Sequence, residues 1–359
     1  MRSEWRDGVE LIEAPDLFWG RGRTGWDPWN LFHRMWVLPR APFDAIHAFD
    51  CRPAVILPAL YHAKRAGLPL FVDWADWWGR GGSIQERDGW LVNRLIGGFE
   101  TWFEEAFRTQ AVGTTVISRA LQQRAIGLGV DEETILRFPH ACDPERTRPQ
   151  DRDEARRRLG LEAGVPIVVH LGLIYQSDLQ LLLDAMRAVV KRHRDVRLVL
   201  VGNHRARIPQ DIMPPGSLVT PGFVDGPTLH AWLGAANVCV IPLQDTVSAR
   251  GRWPSKINDY FCAGRAVVVT RVGDAAEWVA RSAAGWTSAP EPEPLAEALT
   301  GALESPARAD EAGARGRRLA ETELSAANMA EQLEGFYERR VQAFAAGMTG
   351  ARSVAALQR

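Results

Sequence analysis

Apolar positions along the chain follow two alternating rhythms. Short continuous runs at Phe43–Phe49, Pro69–Asp73, Thr114–Ile117, Pro166–Leu171, Val196–Val201, Val238–Ile241 and Ala266–Thr270 have the length and character of buried strands. Between them lie stretches with helical spacing: Pro53–Ala66, Gly89–Thr109, a segment opened by Ser118, Asp178–His193, and one from Thr228. Such alternation predicts parallel sheets joined by helical crossovers. Polar, proline-flanked Pro144–Pro149 interrupts the series and reads as a linker, which divides the chain into a first domain over 1–146 and a second over 147–324. Leu295–Leu303 and Ala326–Phe344 read as closing helices, the last assigned to 325–345 with a frayed tail over 346–359. Val9–Glu13 is a strand candidate preceded only by MRSEWRDG.

Composition narrows the function. A chain of 359 residues can bury two cores. Its 43 basic and 44 acidic residues leave a net charge of -1, which argues against a nucleic-acid partner bound by bulk electrostatics. Cys51, Cys142, Cys239 and Cys262 show no paired spacing, so neither zinc nor a disulfide framework is expected, and a reducing compartment is the simpler reading. No apolar run approaches the roughly 18 residues of a membrane span, and the start lacks an apolar signal region. A cytoplasmic protein, at most peripheral on a membrane, is expected.

The chemistry concentrates in RGRWPSKINDYFCAGRAVVVT, Arg250 to Thr270. Pro254 fixes the chain ahead of Ser255, the expected N-cap, and Ile257, Tyr260 and Phe261 form the apolar face of a helix from Lys256 that Gly264 ends. Free N–H groups and a partial positive charge at the helix start, joined by Lys256, suit an anion. Asp259, three residues on, suits a pair of sugar hydroxyls; a solvated Lys256–Asp259 ion pair is the plainer alternative. Gly172 and Gly202 end strands, where backbone can approach a phosphate. In DWADWWGRGG, Asp73 and Asp76 are polar candidates or helix caps, and Gly79, Gly81 and Gly82 predict a mobile loop open to an acceptor. Gly20, Gly22 and Gly25 satisfy G-x-G-x-x-G without the strand and helix a dinucleotide site needs. Asp151-Arg152-Asp153 opens a charged helix, and no metal is assigned to it. The Trp- and Arg-rich stretch Trp19–Arg40 suits an interfacial anchor or a lipid-linked acceptor, or else an aromatic helix face packed on the core. His140 reads as a structural residue at the domain hinge.

The segment P-S-K-I-N-D-Y-F-C-A-G-R-A-V-V, from Pro254, resembles the donor-binding segment of family-four retaining glycosyltransferases of the GT-B fold, the glycosyl transferase group 1 type. Thr115–Asp143 carries a second likeness: a strand ending in serine, a helix, a glycine-marked turn, a strand and Pro139-His140-Ala141-Cys142-Asp143. The resemblance implies an α/β fold with two Rossmann-like doubly wound domains facing across a cleft and a C-terminal helix returning to the first. The family's opening strand and glycine-rich loop are unmatched, which implies a start codon placed too late or a lost piece. Asp259 is implied to hold the donor ribose, and Gly222-Phe223-Val224-Asp225 to cradle the base mostly by backbone. Where the family has an arginine after Gly172 and a lysine soon after, this chain has Leu173 and Ser177, so Arg250, Arg252 or Arg205 is expected to supply charge. Ala75 stands where many members have a histidine before Asp76. Gly251 replaces the first of the paired glutamates, as in the branch with the lysine form. The implied activity is retaining, metal-independent glycosyl transfer from a nucleotide-diphosphate sugar to a glycan or lipid-linked acceptor, with Lys256 and an arginine stabilising the departing diphosphate and no cofactor beyond the donor. The alternatives are a catalytically silent GT-B partner in glycan assembly and a GT-B sugar-nucleotide epimerase.

Overall fold

The computed structural model describes residues 2–17, 25–36, 43–86, 90–203, 206–208 and 213–357. The chain forms two compact units, Met1–Phe138 with Gln332–Arg359, and Pro139–Glu331.

The first unit opens with an antiparallel hairpin of β1 (Arg2–Arg6) and β2 (Val9–Glu13). Asp7 and Gly8 turn it at φ 52° and 82°, the left-handed backbone a two-residue hairpin loop requires. Val9–Glu13 is thus a strand, paired with a neighbour that its charged residues had hidden. Then follow α1 (Pro28–Trp36), β3 (Ile46–Ala48), α2 (Pro53–Ala66), β4 (Leu70–Trp74), α3 (Trp90–Ala106), β5 (Gly113–Val116), α4 (Arg119–Gly127) and β6 (Ile135–Arg137). Strands β3-β4-β5-β6 make a four-stranded parallel sheet in that order. Pro53 starts α2 and Gly67, at φ 65°, caps it by donating its N–H to the Ala63 carbonyl. Ile56, Leu60 and Ala63 of this helix pack with Ala48, Leu70, Val72 and Phe103 into one buried cluster.

The loop after β4 corrects the expectation of mobility. Buried Glu104 of α3 accepts from Trp74 Nε1 at 3.0 Å, Trp78 N at 2.8 Å and Gly79 N at 2.7 Å, and pairs with Arg124 of α4 at 3.1 Å. Gly79 and Gly82 serve close packing: a Cβ on either would collide with Glu104 or with the Trp77 backbone.

The second unit contains α5 (Arg152–Arg158), β7 (Ile167–Leu171), α6 (Gln176–Arg192), β8 (Arg197–Val201), β9 (Leu218–Gly222), α7 (Gly226–Ala235) and β10 (Val238–Ile241). It continues through the single turn α8 (Val247–Arg250), α9 (Lys256–Cys262), β11 (Val267–Thr270), α10 (Gly273–Ser282), β12 (Gly285–Ser288), α11 (Pro292–Leu303) and α12 (Pro306–Glu321). Asp151 caps α5 by accepting from Glu154 N at 2.8 Å, so the D-R-D sequence is a helix start. The six-stranded sheet is parallel, in the order β12-β11-β10-β7-β8-β9. Succession runs outward from β7 through β8 to β9, then restarts on the other side at β10. The carboxyl ends of β7 and β10 therefore flank the topological switch point, where open α/β sheets bind ligands. Leu179, Leu182, Leu183 and Met186 of α6 and Leu295 and Leu299 of α11 share one core with the sheet.

The last helix, α13 (Ala326–Leu357), begins in the second unit, and its later part belongs to the first. Phe336 and Tyr337 lie 5.8 and 4.8 Å from the Phe71 ring, and Arg340 donates to the Val112 carbonyl at 2.7 Å. It is helical through the stretch expected to fray.

Candidate functional site

The carboxyl edge of the second unit's sheet ends in three adjacent glycines. Gly172, Gly202 and Gly222 terminate β7, β8 and β9 with φ of 76°, 123° and 74°, backbone that side chains rarely adopt. Gly172 N donates to the Val201 carbonyl at 2.7 Å and Gly202 N to the Gly222 carbonyl at 2.8 Å, so the strand ends are tied in register. A Cβ on Gly202 would come within 3.1 Å of Gly172 Cα, whereas one on Gly172 meets nothing within 4 Å. The rim is open above Gly172.

Lys256 reaches this rim. Its ammonium donates to the Leu173 carbonyl at 2.8 Å and to His170 Nε2 at 2.9 Å, leaving its third N–H without an acceptor among the described residues. The contact requires an unprotonated His170 Nε2. Burial lowers the Lys256 pKa to about 8; nearby Asp178 opposes the shift and Arg252 adds to it. Asp178, in the first turn of α6, accepts from Gln244 N at 2.8 Å and so joins the segments leaving β7 and β10. Arg252 bonds Ser248 Oγ, and its guanidinium stacks 4.5 Å from the Tyr175 ring. The Tyr260 hydroxyl accepts from Leu171 N at 2.8 Å, fixing α9 against the end of β7. A lysine, a glycine-lined opening and an arginine thus stand together at the switch point, an arrangement able to take a phosphate.

The helix start contributes less than the sequence suggests. Helix α9 has seven residues, and Ser255 is αR with no side-chain capping bond. Its hydroxyl instead pairs with His140 Nδ1 at 2.7 Å, while Ile257 N and Asn258 N donate to the Pro254 and Ser255 carbonyls in a tight first turn. Two N–H groups expected to be free for an anion are already used. Asn258, not singled out by sequence reading, donates to both the His140 and Ala141 carbonyls at 2.8 Å and accepts from Trp253 Nε1 at 2.8 Å, clamping the segment before the linker onto α9.

The remaining candidates fall in different surroundings. Burial raises the Asp259 pKa against the pull of Arg146 and His230, neighbours that Lys256 does not share. Arg250 is exposed and paired bidentately with Asp245 at 2.6 and 2.7 Å. Phe223 is 81% exposed and Val224 half-buried beside β9, available to a ligand lying on that edge. Arg205 lies outside the described residues. In the first unit, Asp73 accepts from Thr115 Oγ1 at 2.5 Å, and Thr115 lies 3.4 Å from His47, whose other nitrogen pairs with Tyr337 at 2.5 Å. This places Asp73 in a polar chain that ties the sheet to the last helix. Asp76 is half-buried in the loop held by Glu104. Sequence reading also missed a cavity of about 670 Å³ in this unit, lined by Arg2, Glu4, Asp16, Asp27, Arg34 and Arg52 among others. No group of side chains able to hold a metal occurs among the described residues.

Comparison with known proteins follows the same division. Residues 2–141 match a family model described as a glycosyl transferase 4-like domain, and residues 165–305 match one described as glycosyl transferases group 1. No curated protein matches the chain. Sucrose-phosphate synthase from Thermosynechococcus elongatus superposes with a TM-score of 0.65 at 19% identity, covering 89% of this chain and 78% of the other. HepE of Anabaena in complex with UDP gives 0.66 at 16% identity, over 87% and 82%. WaaG, titled a glycosyltransferase involved in lipopolysaccharide biosynthesis, gives 0.56 at 15%, over 76% and 80%. One glycosyltransferase family model thus matches each unit, and the chain shares the GT-B fold of these structures.

Proposed function

We propose that this glycosyltransferase moves a sugar from a nucleoside-diphosphate donor to a glycan or lipid-linked acceptor with retention of the anomeric configuration and without a metal ion. The observation that carries the reading is Lys256, placed at the switch point beside the open Gly172 with one N–H unclaimed. Negative charge grows on the diphosphate as the glycosidic bond breaks, and an ammonium already fixed by two hydrogen bonds stabilises it with less reorganisation than water needs. Arg252 adds charge to the same place. Asp259 sits three residues further along α9, a rise of about 4.5 Å that the ribose and phosphate of one nucleotide can bridge. The HepE structures hold UDP and UDP-glucose, which makes a uridine donor the first to try here.

Loss of one such donor typically costs on the order of 3 kcal/mol in the barrier, so Lys256→Ala should lower turnover about a hundredfold while the protein remains folded. The test follows nucleoside diphosphate released from nucleotide sugars in the presence of oligosaccharide and lipid-linked acceptors, with the product anomer read by NMR. Release that depends on acceptor and yields the donor's anomer supports the reading. An inverted anomer removes the retention claim, isomer formation without acceptor indicates an epimerase, and no release from any donor leaves a silent partner protein. The last outcome has its own motive in Leu173, an exposed apolar residue beside Lys256.

A further inference from the structure

Helix α1 carries two unlike faces. Asp27 at its start, Asn30 and Arg34 turn toward the cavity of the first unit. Asp27 accepts from Trp29 N and Asn30 N at 2.8 and 2.9 Å, and Asn30 reaches the Ala14 carbonyl at 3.1 Å. The stripe Trp29, Phe32, His33 and Trp36, spaced as one side of a helix, points elsewhere. Trp29, Phe32 and Trp36 are 45, 47 and 63% exposed, so the aromatic face does not pack on the core. Trp29 and Phe32 stack at 5.5 Å, and His33 meets both. The stripe continues onto α2, where the Trp36 ring lies 5.7 Å from Tyr61 and Arg65 donates to the Tyr61 hydroxyl at 2.9 Å.

Charge selects the occupant of this face. Helices α1 and α2, PWNLFHRMW and PAVILPALYHAKRA, contain no carboxylate in a chain whose acids and bases are otherwise balanced. The last turn of α2 carries Lys64 and Arg65, both exposed, while Arg34 of α1 belongs to the cavity side. Tryptophan and tyrosine suit the boundary between headgroups and acyl chains, and arginine and lysine keep their charge at the headgroups while their stems lie along it. No described helix is long and apolar enough to cross a membrane, so any contact is interfacial. We infer that the α1–α2 face docks on an anionic lipid bilayer. The inference does not rest on the transfer reading, since vesicle binding requires no turnover.

Flotation of the full-length protein with vesicles of phosphatidylglycerol and phosphatidylcholine, against phosphatidylcholine alone, tests it. The protein should float with the anionic vesicles, less at high salt, and remain behind with the neutral ones. Trp29→Ser with Trp36→Ser, and separately Lys64→Glu with Arg65→Glu, should each weaken binding by about tenfold or more, the first by removing apolar area from the interface and the second by turning two attracted charges into two repelled ones. Exposed substitutions rarely unfold a protein, and melting curves identify any that do; Phe32→Ser then replaces the tryptophan pair. Failure to float with anionic vesicles, or flotation of folded variants at wild-type levels, overturns the inference. So does a sedimentation dimer that the tryptophan pair abolishes, because the face then meets a second copy.

Discussion

Lys256 makes opposite demands on pH for binding and for stability. Burial holds its pKa at about 8 in the free protein, and an anion can bind the charged form only. Affinity for a nucleoside diphosphate should therefore fall as pH rises above about 8, by about tenfold per unit until the higher pKa of the complex is reached. Stability runs the other way: the unfolded chain keeps the proton up to its ordinary value of 10.5, so the depressed pKa costs stability below 8 and the cost is relieved between 8 and 10.5. Titrations of UDP into wild type and Lys256→Arg across this range check the first effect. The arginine variant, if it binds, should show no such slope, because guanidinium stays charged. Urea midpoints of wild type and Lys256→Met check the second, with the gap between them narrowing as pH rises. At this scale the sequence disclosed the lysine and the glycines but not their company. His170 sits in an apolar run as any strand residue would, and Asn258 carries no signal that separates it from an exposed helix asparagine. Ser255 misled: before a helix it reads as a cap, yet a histidine distant in sequence takes its hydroxyl.

Elements were legible where their apolar pattern is strong. Pro53–Ala66 and Val238–Ile241 have the boundaries that periodicity assigns, and most other strands shift by one to three residues at an end. Helix α12 went unread because its buried stripe, Leu319 apart, is made of small residues, Ala309, Ala312, Gly313, Gly316 and Ala320, set among arginines. Those glycines let it approach α9: a Cβ on Gly313 would strike the Gly264 carbonyl, and one on Gly316 would lie 2.8 Å from the Phe261 ring. The glycines of the loop after β4 read as mobility, and Glu104 corrects that reading. Glu104→Ala would strip three donors of their acceptor and leave the nearly buried Arg124 with less compensation. Removing one partner of a buried pair costs about 3–5 kcal/mol, so urea denaturation should show a loss of that order, and a loss below about 1 kcal/mol would mean the loop holds without it.

Over the whole molecule, strand order is what turns a set of residues into a site. Sequence reading found the alternation of strands and helices, but alternation alone does not say which strand is central. Only the order β12-β11-β10-β7-β8-β9 puts the switch point at the ends of β7 and β10, beside Lys256, Gly172 and Asp178. The central claim is that a nucleoside diphosphate is gripped there through its phosphates. Calorimetric titration of UDP, GDP and ADP into the wild type and Lys256→Ala at neutral pH tests it most directly. At least one of the three should bind the wild type and lose about tenfold or more in affinity in the variant, as expected for one charge-assisted hydrogen bond. If none binds the wild type, or if the variant binds as tightly as the wild type, the diphosphate is not held at this lysine and the account is wrong.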